Sequence, residues 1–283
     1  MQSKGYEELT RPPRPGTWEA LYWRTLASLA RGVGGRLSEG MRIGYRYGFD
    51  SGEMLDYVYR NRAHGRLGVG LLLDRAYLDA IGWRAIRQRK EHLQVLLREE
   101  LREVHSAGRA VHIVDLASGP GRYLLEILQE FSDVPVAATL RDWDVEGLRH
   151  GRALAEALGV TQVRFERGDA FDPEAVARIR PRPQIVVVSG LYELFPDNAL
   201  IQRSLRGVVE VLEPGGRLIY TNLPTHPQLE LIARCLTNRD GKPWVMRLRS
   251  QEEMDRLVSA AGLIPCKRLT DRWGIFTVSV ARK

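Results

Sequence analysis

From Ala110 onward short apolar runs alternate with helical segments, and this alternation limits the fold more than any other feature. Val111-His112-Ile113-Val114-Asp115-Leu116 is almost continuously apolar, the pattern of a strand buried on both faces. Further strand-like runs lie at 134–141, 163–167, 184–189, 216–222, 263–270 and 274–282. The helices between them are punctuated. Asp172 before Pro173 suits an N-cap and first turn. Ser250 and Glu253 form a capping box, and Gly159 and Gly262 stand where helices should stop. Strands alternating with helices predict an α/β fold with a parallel sheet covered on both faces.

The first 109 residues have a different texture. Residues 1–16 are polar and rich in proline, and read as a flexible lead-in. Trp18, Leu21, Tyr22, Leu26, Leu29 and Val33 then recur at helical spacing, with Arg24, Arg31 and Arg36 off the stripe. Such a helix either packs its stripe on the protein, the expected outcome, or lies on a membrane surface. Ser51 is a good N-cap for a second helix, because its oxygen can accept from a free backbone N–H. Gly65, Gly68 and Gly70 interrupt the pattern; no strand precedes them, so a phosphate loop is not expected. Helical spacing resumes through Tyr77, Leu78 and Ile81. A stripe of Leu93, Leu96, Leu97, Leu101 and Val104 ends near Gly108. Two parts are therefore expected, an all-helical one over 1–109 and an α/β one over 110–283.

Charge and aromatics follow the same division. Residues 1–110 hold 19 Lys+Arg and 13 Asp+Glu, whereas the remainder holds 23 and 22. Seven of the ten tyrosines precede residue 111. A net +6 spread over 110 residues is not a strong phosphate track, and even its densest cluster, Arg84, Arg87, Arg89 and Lys90, reads as a solvated helix face. A nucleic-acid partner is not expected. Two cysteines make neither a disulfide framework nor a four-thiolate zinc site, and no His/Cys/Asp cluster has ligand spacing, so no metal is expected. The N-terminus lacks a signal-peptide pattern and no apolar run approaches the roughly 20 residues of a membrane helix. A cytoplasmic setting is the expectation.

The chemistry concentrates in Val114-Asp115-Leu116-Ala117-Ser118-Gly119-Pro120-Gly121-Arg122-Tyr123. A strand enters a glycine-rich turn that opens a helix. Glycines let the backbone approach a ligand, and the helix N-terminus offers free N–H groups. Such a turn serves a dinucleotide, a phosphate or the carboxylate of an amino-acid ligand; the lysine of a nucleotide-triphosphate loop is missing. About 20 residues on, Asp142 suits a ribose diol at the end of the second strand. Asp144 fits better as the N-cap of the next helix. The alternative is that both merely cap. Trp143 would offer adenine a flat apolar face, and Asp169 in Gly168-Asp169-Ala170-Phe171 an acceptor for its exocyclic amine. Ser189-Gly190-Leu191-Tyr192-Glu193 follows the fourth strand, and Glu213-Pro214-Gly215-Gly216-Arg217 turns a helix into the fifth.

Together these segments resemble the class I S-adenosylmethionine (SAM) dependent methyltransferases over residues 110–283. The resemblance implies a Rossmann-like seven-stranded sheet whose last strand, 274–282, runs antiparallel, behind an N-terminal helical cap. It implies SAM as cofactor. Asp115, Gly119 and Gly121 would surround its methionine part, Asp142 the ribose, and Asp169 with Phe171 the adenine. Ala117, Trp143, Ala170 and Ser189 complete the set. Ala117 departs from the pattern, standing where the family usually has its first glycine. In the front part, Gly48-Phe49-Asp50-Ser51-Gly52-Glu53-Met54-Leu55-Asp56-Tyr57-Val58-Tyr59-Arg60-Asn61 and Ile81-Gly82-Trp83-Arg84-Ala85-Ile86-Arg87 resemble a bacterial methyltransferase family whose members can be fused to α/β-hydrolase domains. The azetidine-2-carboxylate synthases, which cyclise SAM on this fold, are similar in general plan.

Methyl transfer is an in-line displacement with a neutral leaving group, so the protein mainly positions the nucleophile and excludes water. Tyr192 and Glu193 stand at the carboxyl edge of the sheet, where open parallel sheets bind ligands. Glu193 can accept a proton or hold a substrate amine. Tyrosines of the helical part can face the sulfonium, since aromatic faces attract desolvated cations. Tyr45, Tyr47, Tyr57, Tyr59 and Tyr77 are the candidates, with Tyr47 and Tyr57 chosen. His226 is a further candidate after the fifth strand. The expected partner is a small-molecule methyl acceptor. Cyclisation of SAM to azetidine-2-carboxylate and methylthioadenosine stands as the alternative, and nucleic-acid methylation as a more distant one.

Overall fold

The computed structural model describes residues 4–108 and 110–283. Residues 1–3, and Arg109 at the expected boundary, lie outside the described residues. In chain order the helices and strands are α1 (Tyr6–Thr10), α2 (Trp18–Leu29), α3 (Gly35–Leu37), α4 (Glu39–Tyr47), α5 (Gly52–Arg60), α6 (Leu67–Leu78), α7 (Ile81–Ser106), β1 (Val111–Leu116), α8 (Arg122–Glu130), β2 (Val136–Asp142), α9 (Val145–Leu158), β3 (Val163–Arg167), α10 (Pro173–Ala177), β4 (Ile185–Val188), α11 (Asn198–Val211), β5 (Arg217–Asn222), α12 (Leu229–Cys235), α13 (Gln251–Ala260), β6 (Ile264–Thr270) and β7 (Thr277–Arg282). A π-helical turn, Ala30–Gly34, separates α2 from α3, and a 3₁₀ turn, Tyr192–Leu194, follows β4.

By its contacts the chain forms two compact units, residues 1–87 with 225–248 and residues 88–224 with 249–283. The 109/110 boundary read from the sequence differs from this division in two places. Most of α7 belongs with the sheet, because its stripe of Leu93, Leu96, Leu97, Leu101 and Val104 is buried. The segment after β5 joins the helical residues: Phe49 N donates to Thr237 O at 2.9 Å, and Asp50 Oδ1 accepts from Arg239 N at 2.7 Å.

The sheet unit has seven strands in the order β3-β2-β1-β4-β5-β7-β6. The first five are parallel, and β7 runs antiparallel to both β5 and β6. All six residues of β1 are buried, as its apolar run required. The expected caps form. Asp172 accepts from Ala175 N with Pro173 in the first turn, Ser250 accepts from Glu253 N, and Gly159 and Gly262 adopt positive φ at helix ends. Buried charges lock α7 to the sheet. Glu100 is fully buried and accepts from Arg217 Nε on β5 at 2.8 Å, while Lys267 Nζ on β6 lies 2.7 Å from its other oxygen. Glu103 accepts from Arg217 Nη2 at 2.6 Å and from Arg282 Nη2 on β7 at 2.8 Å.

The helical unit is organised by two devices. The buried Asp74 on α6 accepts from Ser38 Oγ at 2.5 Å, Gly40 N at 2.7 Å, His64 N at 2.9 Å and the Tyr57 hydroxyl. An edge-to-face run of rings links Tyr45, Phe49, Tyr77 and Trp83, with centroids 4.9 to 6.3 Å apart, and Trp83 stacks on Trp244. Gly44 is needed there, because a Cβ would come within 2.3 Å of the Phe49 ring. The stripe on α2 does not pack inward as expected. Trp18, Leu21, Tyr22, Leu29 and Val33 are exposed, and α2 has no fully buried residue. Of the stripe only Leu26 is half-buried, together with Ala20, Trp23 and Ala27, and the π-helical turn interrupts the helix expected to reach Leu37.

Glu100→Gln removes the charge that serves both Arg217 and Lys267 in a buried setting. It is expected to lower the unfolding free energy by about 3 kcal/mol in urea titration followed by circular dichroism.

Candidate active site

The site is built on turns that leave the carboxyl ends of the parallel strands. After β1 the chain makes three left-handed residues in five: Ala117 (φ 61°), Gly119 (φ 53°) and Gly121 (φ 69°). Ser118 N donates to Arg141 O at 3.0 Å, which ties this turn to β2. Gly121 is the N-cap of α8, and a Cβ there would lie 2.0 Å from the Leu140 side chain, which is fully buried. Only glycine meets both the dihedral and the contact. Ala117 accepts the same left-handed region at a cost that glycine would not carry.

Asp142, the last residue of β2, joins this turn to the next. Its Oδ2 accepts from Gly119 N at 2.7 Å and its Oδ1 from Asp144 N at 2.8 Å. Asp144 caps α9, accepting from Glu146 N, so one of the two acids caps and the other clamps the glycine turn. Trp143 between them is 62% exposed, and the Arg167 guanidinium lies 4.4 Å from its ring centroid. After β3, Asp169 is exposed and turns back to accept from Phe171 N at 2.8 Å. Ala170 and Phe171 are buried, and Phe171 meets Phe195 edge to face. Ser189 is half-buried at the end of β4, and Gly190 N donates to Thr221 Oγ1 on β5 at 2.8 Å.

Asp115 sits one residue before the end of β1 and is fully buried. Its Oδ2 accepts from the Tyr123 hydroxyl at 2.5 Å, and no partner meets Oδ1 among the described residues. Burial pushes its pKa from 3.8 up to about 8, with the Asp142 charge adding to the effect. Its carboxyl is mostly protonated at neutral pH.

The two residues chosen after β4 have partners within the unit. The Tyr192 phenol is buried in the core and shares a 3.0 Å hydrogen bond with Ser204 Oγ on α11; burial raises its pKa well above the usual range. Glu193 is buried too, and its Oε1 accepts from Arg89 Nη1 at 3.1 Å. Arg89 in turn lies 4.6 Å from the Phe276 ring centroid. The fully buried Arg249 holds the same loop, donating to Tyr192 O at 2.6 Å and Phe195 O at 2.5 Å. Sequence reading missed both arginines. Arg89 was visible only as charge in the cluster 84–90, and nothing local marks Arg249 as buried.

Two tyrosines of the helical unit have their hydroxyls engaged within it, and a third is exposed. The Tyr57 hydroxyl donates to Asp74, and burial with that neighbouring carboxylate raises its pKa. Tyr45 donates to Cys235 O at 3.1 Å, and burial pushes its pKa up to about 12. Tyr47 is exposed at the end of α4 with the Arg46 guanidinium 4.9 Å from its ring. His226 is buried, and its Nδ1 accepts from Gln228 N at 3.1 Å. Among the described residues no three His, Cys, Asp or Glu side chains are grouped to hold a metal ion.

The family model Methyltransf_20, described as "Putative methyltransferase", matches residues 1–283. The chain belongs to that family. Among curated relatives, this Methyltransf_20 chain is 50% identical over 252 residues to the uncharacterized protein YnbC of Escherichia coli (strain K12). The match covers 87% of this chain and 42% of YnbC, so the chain spans less than half of that relative's length. Among solved structures, a Bordetella parapertussis protein described as a possible exported protein aligns with TM-score 0.64 and 22% identity, covering 82% of this chain and 79% of that one. Magnesium protoporphyrin IX methyltransferase from Synechocystis, with bound SAH, aligns with TM-score 0.56 and 11% identity over 84% of this chain and 97% of that one. An O-methyltransferase family protein from Burkholderia thailandensis gives TM-score 0.51 and 16% identity over 74% and 62%. These likenesses are likenesses of fold. The sheet order with β7 antiparallel is the class I methyltransferase arrangement that the resemblance implied.

Two outcomes follow from the turn after β1. A carboxyl raised in the fold favours the protonated state, so its stabilising contribution is complete below about pH 4 and is lost as pH rises toward about 8. Asp115→Asn keeps the neutral form throughout. Its unfolding free energy relative to the unsubstituted protein is expected to climb between those values and level off above; a flat difference would show that Asp115 ionises normally. Ala117→Gly is expected to raise stability by about 1 kcal/mol, read as a shift in the urea midpoint.

Proposed function

We propose that this Methyltransf_20 chain binds SAM at the carboxyl edge of its sheet and transfers the methyl group to a small-molecule acceptor. One observation carries the reading: Asp142 clamps the left-handed turn Ala117–Gly121 through Gly119 N, so an acid and a glycine cradle form one rigid unit beside the N-terminus of α8. The residues present fit SAM. The buried Asp115 Oδ1, which meets no partner among the described residues, suits a ligand donor. Solved methyltransferases of this fold, one with bound SAH, support the choice of cofactor.

Bound SAM supplies an electrophilic methyl on a good leaving group. The chain's own task is placement and exclusion of water. We assign the ribose to Asp142, whose carboxylate direction is fixed by its two backbone bonds, and the adenine to Trp143, Asp169, Ala170 and Phe171. The methionine part falls to Asp115, Ala117, Gly119 and Gly121, with Ser189 at the edge. Glu193 is assigned as a positioning residue, because Arg89 already holds it and Arg249 fixes the loop around it. Tyr192, bonded to Ser204, supports the same loop. Two free cysteines, Cys235 and Cys266, fit a reducing cytoplasmic setting.

Calorimetry is expected to show SAM affinity reduced about tenfold or more by Asp142→Ala and by Gly119→Val, with circular dichroism confirming that both variants fold. Unchanged affinity in both would place the site elsewhere. With SAM alone, mass spectrometry should show intact SAM. S-adenosylhomocysteine should appear only once an acceptor panel is added. Methylthioadenosine with a four-membered imino acid from SAM alone, above the non-enzymatic rate, would replace transfer by cyclisation.

A further inference from the structure

The net charge of the protein is confined to the helical unit. Residues 1–87 with 225–248 hold 18 Lys+Arg and 11 Asp+Glu, a net of +7, whereas the sheet unit holds 24 of each. The same unit displays apolar side chains outward. On α2 and the π-helical turn after it, Trp18, Tyr22, Leu29 and Val33 are 85%, 59%, 55% and 51% exposed. They are four, seven and four residues apart, a spacing that puts them on one helix face. Leu21 is exposed beside them, and Arg24 and Arg36 are exposed off the stripe. A groove of about 630 Å³ runs along α2, lined by Trp18, Leu21, Trp23 and Ala27, with Arg24 and Arg234 also at its wall. A second apolar group lies at the start of α6. Leu67, Val69, Leu71 and Leu72 are all exposed, and Leu67 is held at φ 61°, a region a branched side chain rarely occupies.

We propose that the α2 face is a docking surface for an anionic lipid bilayer, on which the helix lies in the interface plane. Three properties meet in that one occupant. The stripe is apolar and exposed, which a hydrocarbon boundary covers. It carries a Trp and a Tyr, whose rings sit at the headgroup level of membranes. The unit that bears it is the positive one, and each Lys or Arg near an anionic surface adds roughly 1 kcal/mol of attraction. An acidic polypeptide would satisfy the charge and leave the stripe unmatched. Among the described residues no helix is long and apolar enough to cross a membrane, so the attachment is peripheral. The proposal does not rest on the methyl-transfer reading.

The test is co-sedimentation of the full chain with vesicles of phosphatidylcholine alone and of phosphatidylcholine mixed with phosphatidylglycerol. Binding to the anionic vesicles is expected, with a blue shift of tryptophan emission, weakening as salt is added and absent with phosphatidylcholine alone. The double variant Trp18→Ser, Leu29→Ser changes only exposed positions. It should lose about tenfold or more in vesicle affinity, while the circular dichroism spectrum and the thermal unfolding midpoint stay unchanged. Arg24→Glu with Arg36→Glu should weaken binding at low salt. No binding to either vesicle overturns the proposal, as does equal binding by the double variant. Self-association in light scattering that the double variant abolishes, without vesicle binding, would make the face a contact between copies and equally sink it.

Discussion

The candidate site depends on a backbone demand made by the central strand. β1 is buried along its whole length and lies between β2 and β4, so its chain must leave the sheet in a tight turn before α8 can start. That turn needs positive φ at Ala117, Gly119 and Gly121. Left-handed residues are costly for a chain with side chains, and here the conformation is fixed from outside by Asp142, which reaches across from β2 to the Gly119 amide. The same carboxylate bonds Asp144 N at the start of α9. A single acid thus sets the turns after both strands. The edge where a ligand of an open parallel sheet binds is organised before any ligand arrives.

Buried charge held in pairs fixes both ends of the sheet unit, with Arg217 at the amino end of β5 and Glu193 in the loop after β4. Glu100 with Arg217 and Lys267 fastens α7 to the sheet, and Glu193 with Arg89 fastens the loop after β4. Pairs of this kind are worth little net stability, yet losing one member is costly. They specify position. The loop after β4 is held by Arg89 at one point and by Arg249 at two carbonyls.

Where apolar periodicity and punctuation were strong, the sequence was readable. Each of the seven strands lies within a few residues of its expected run; β1, β4 and β5 are buried on both faces, so they must be apolar nearly throughout and cannot hide that pattern. The caps at Ser51, Asp144, Asp172 and Ser250 were readable because capping is local chemistry between residues two or three apart. Reading failed where the answer lay in distant partners. That the Tyr57 hydroxyl bonds Asp74, seventeen residues on, could not be read from the sequence. Tyr77 belongs to the edge-to-face run with Phe49 and Trp83. The α2 stripe looked like a buried face because periodicity reports amphipathicity alone; which side meets protein is decided by what packs there, and on α2 the half-buried residues are Ala20, Trp23, Leu26 and Ala27.

The sequence by itself determined the α/β sheet, the glycine turn after β1 and the acids at the ends of β2 and β3, since each is written in residues close to one another in the chain. Tertiary structure alone decided that residues 225–248 return to the helical unit, that Arg89 and Arg249 are buried and paired, and that Trp18, Tyr22, Leu29 and Val33 face outward. Those outcomes depend on contacts between segments far apart in sequence. Burial and pairing are properties of such contacts, and composition or periodicity within one segment does not carry them.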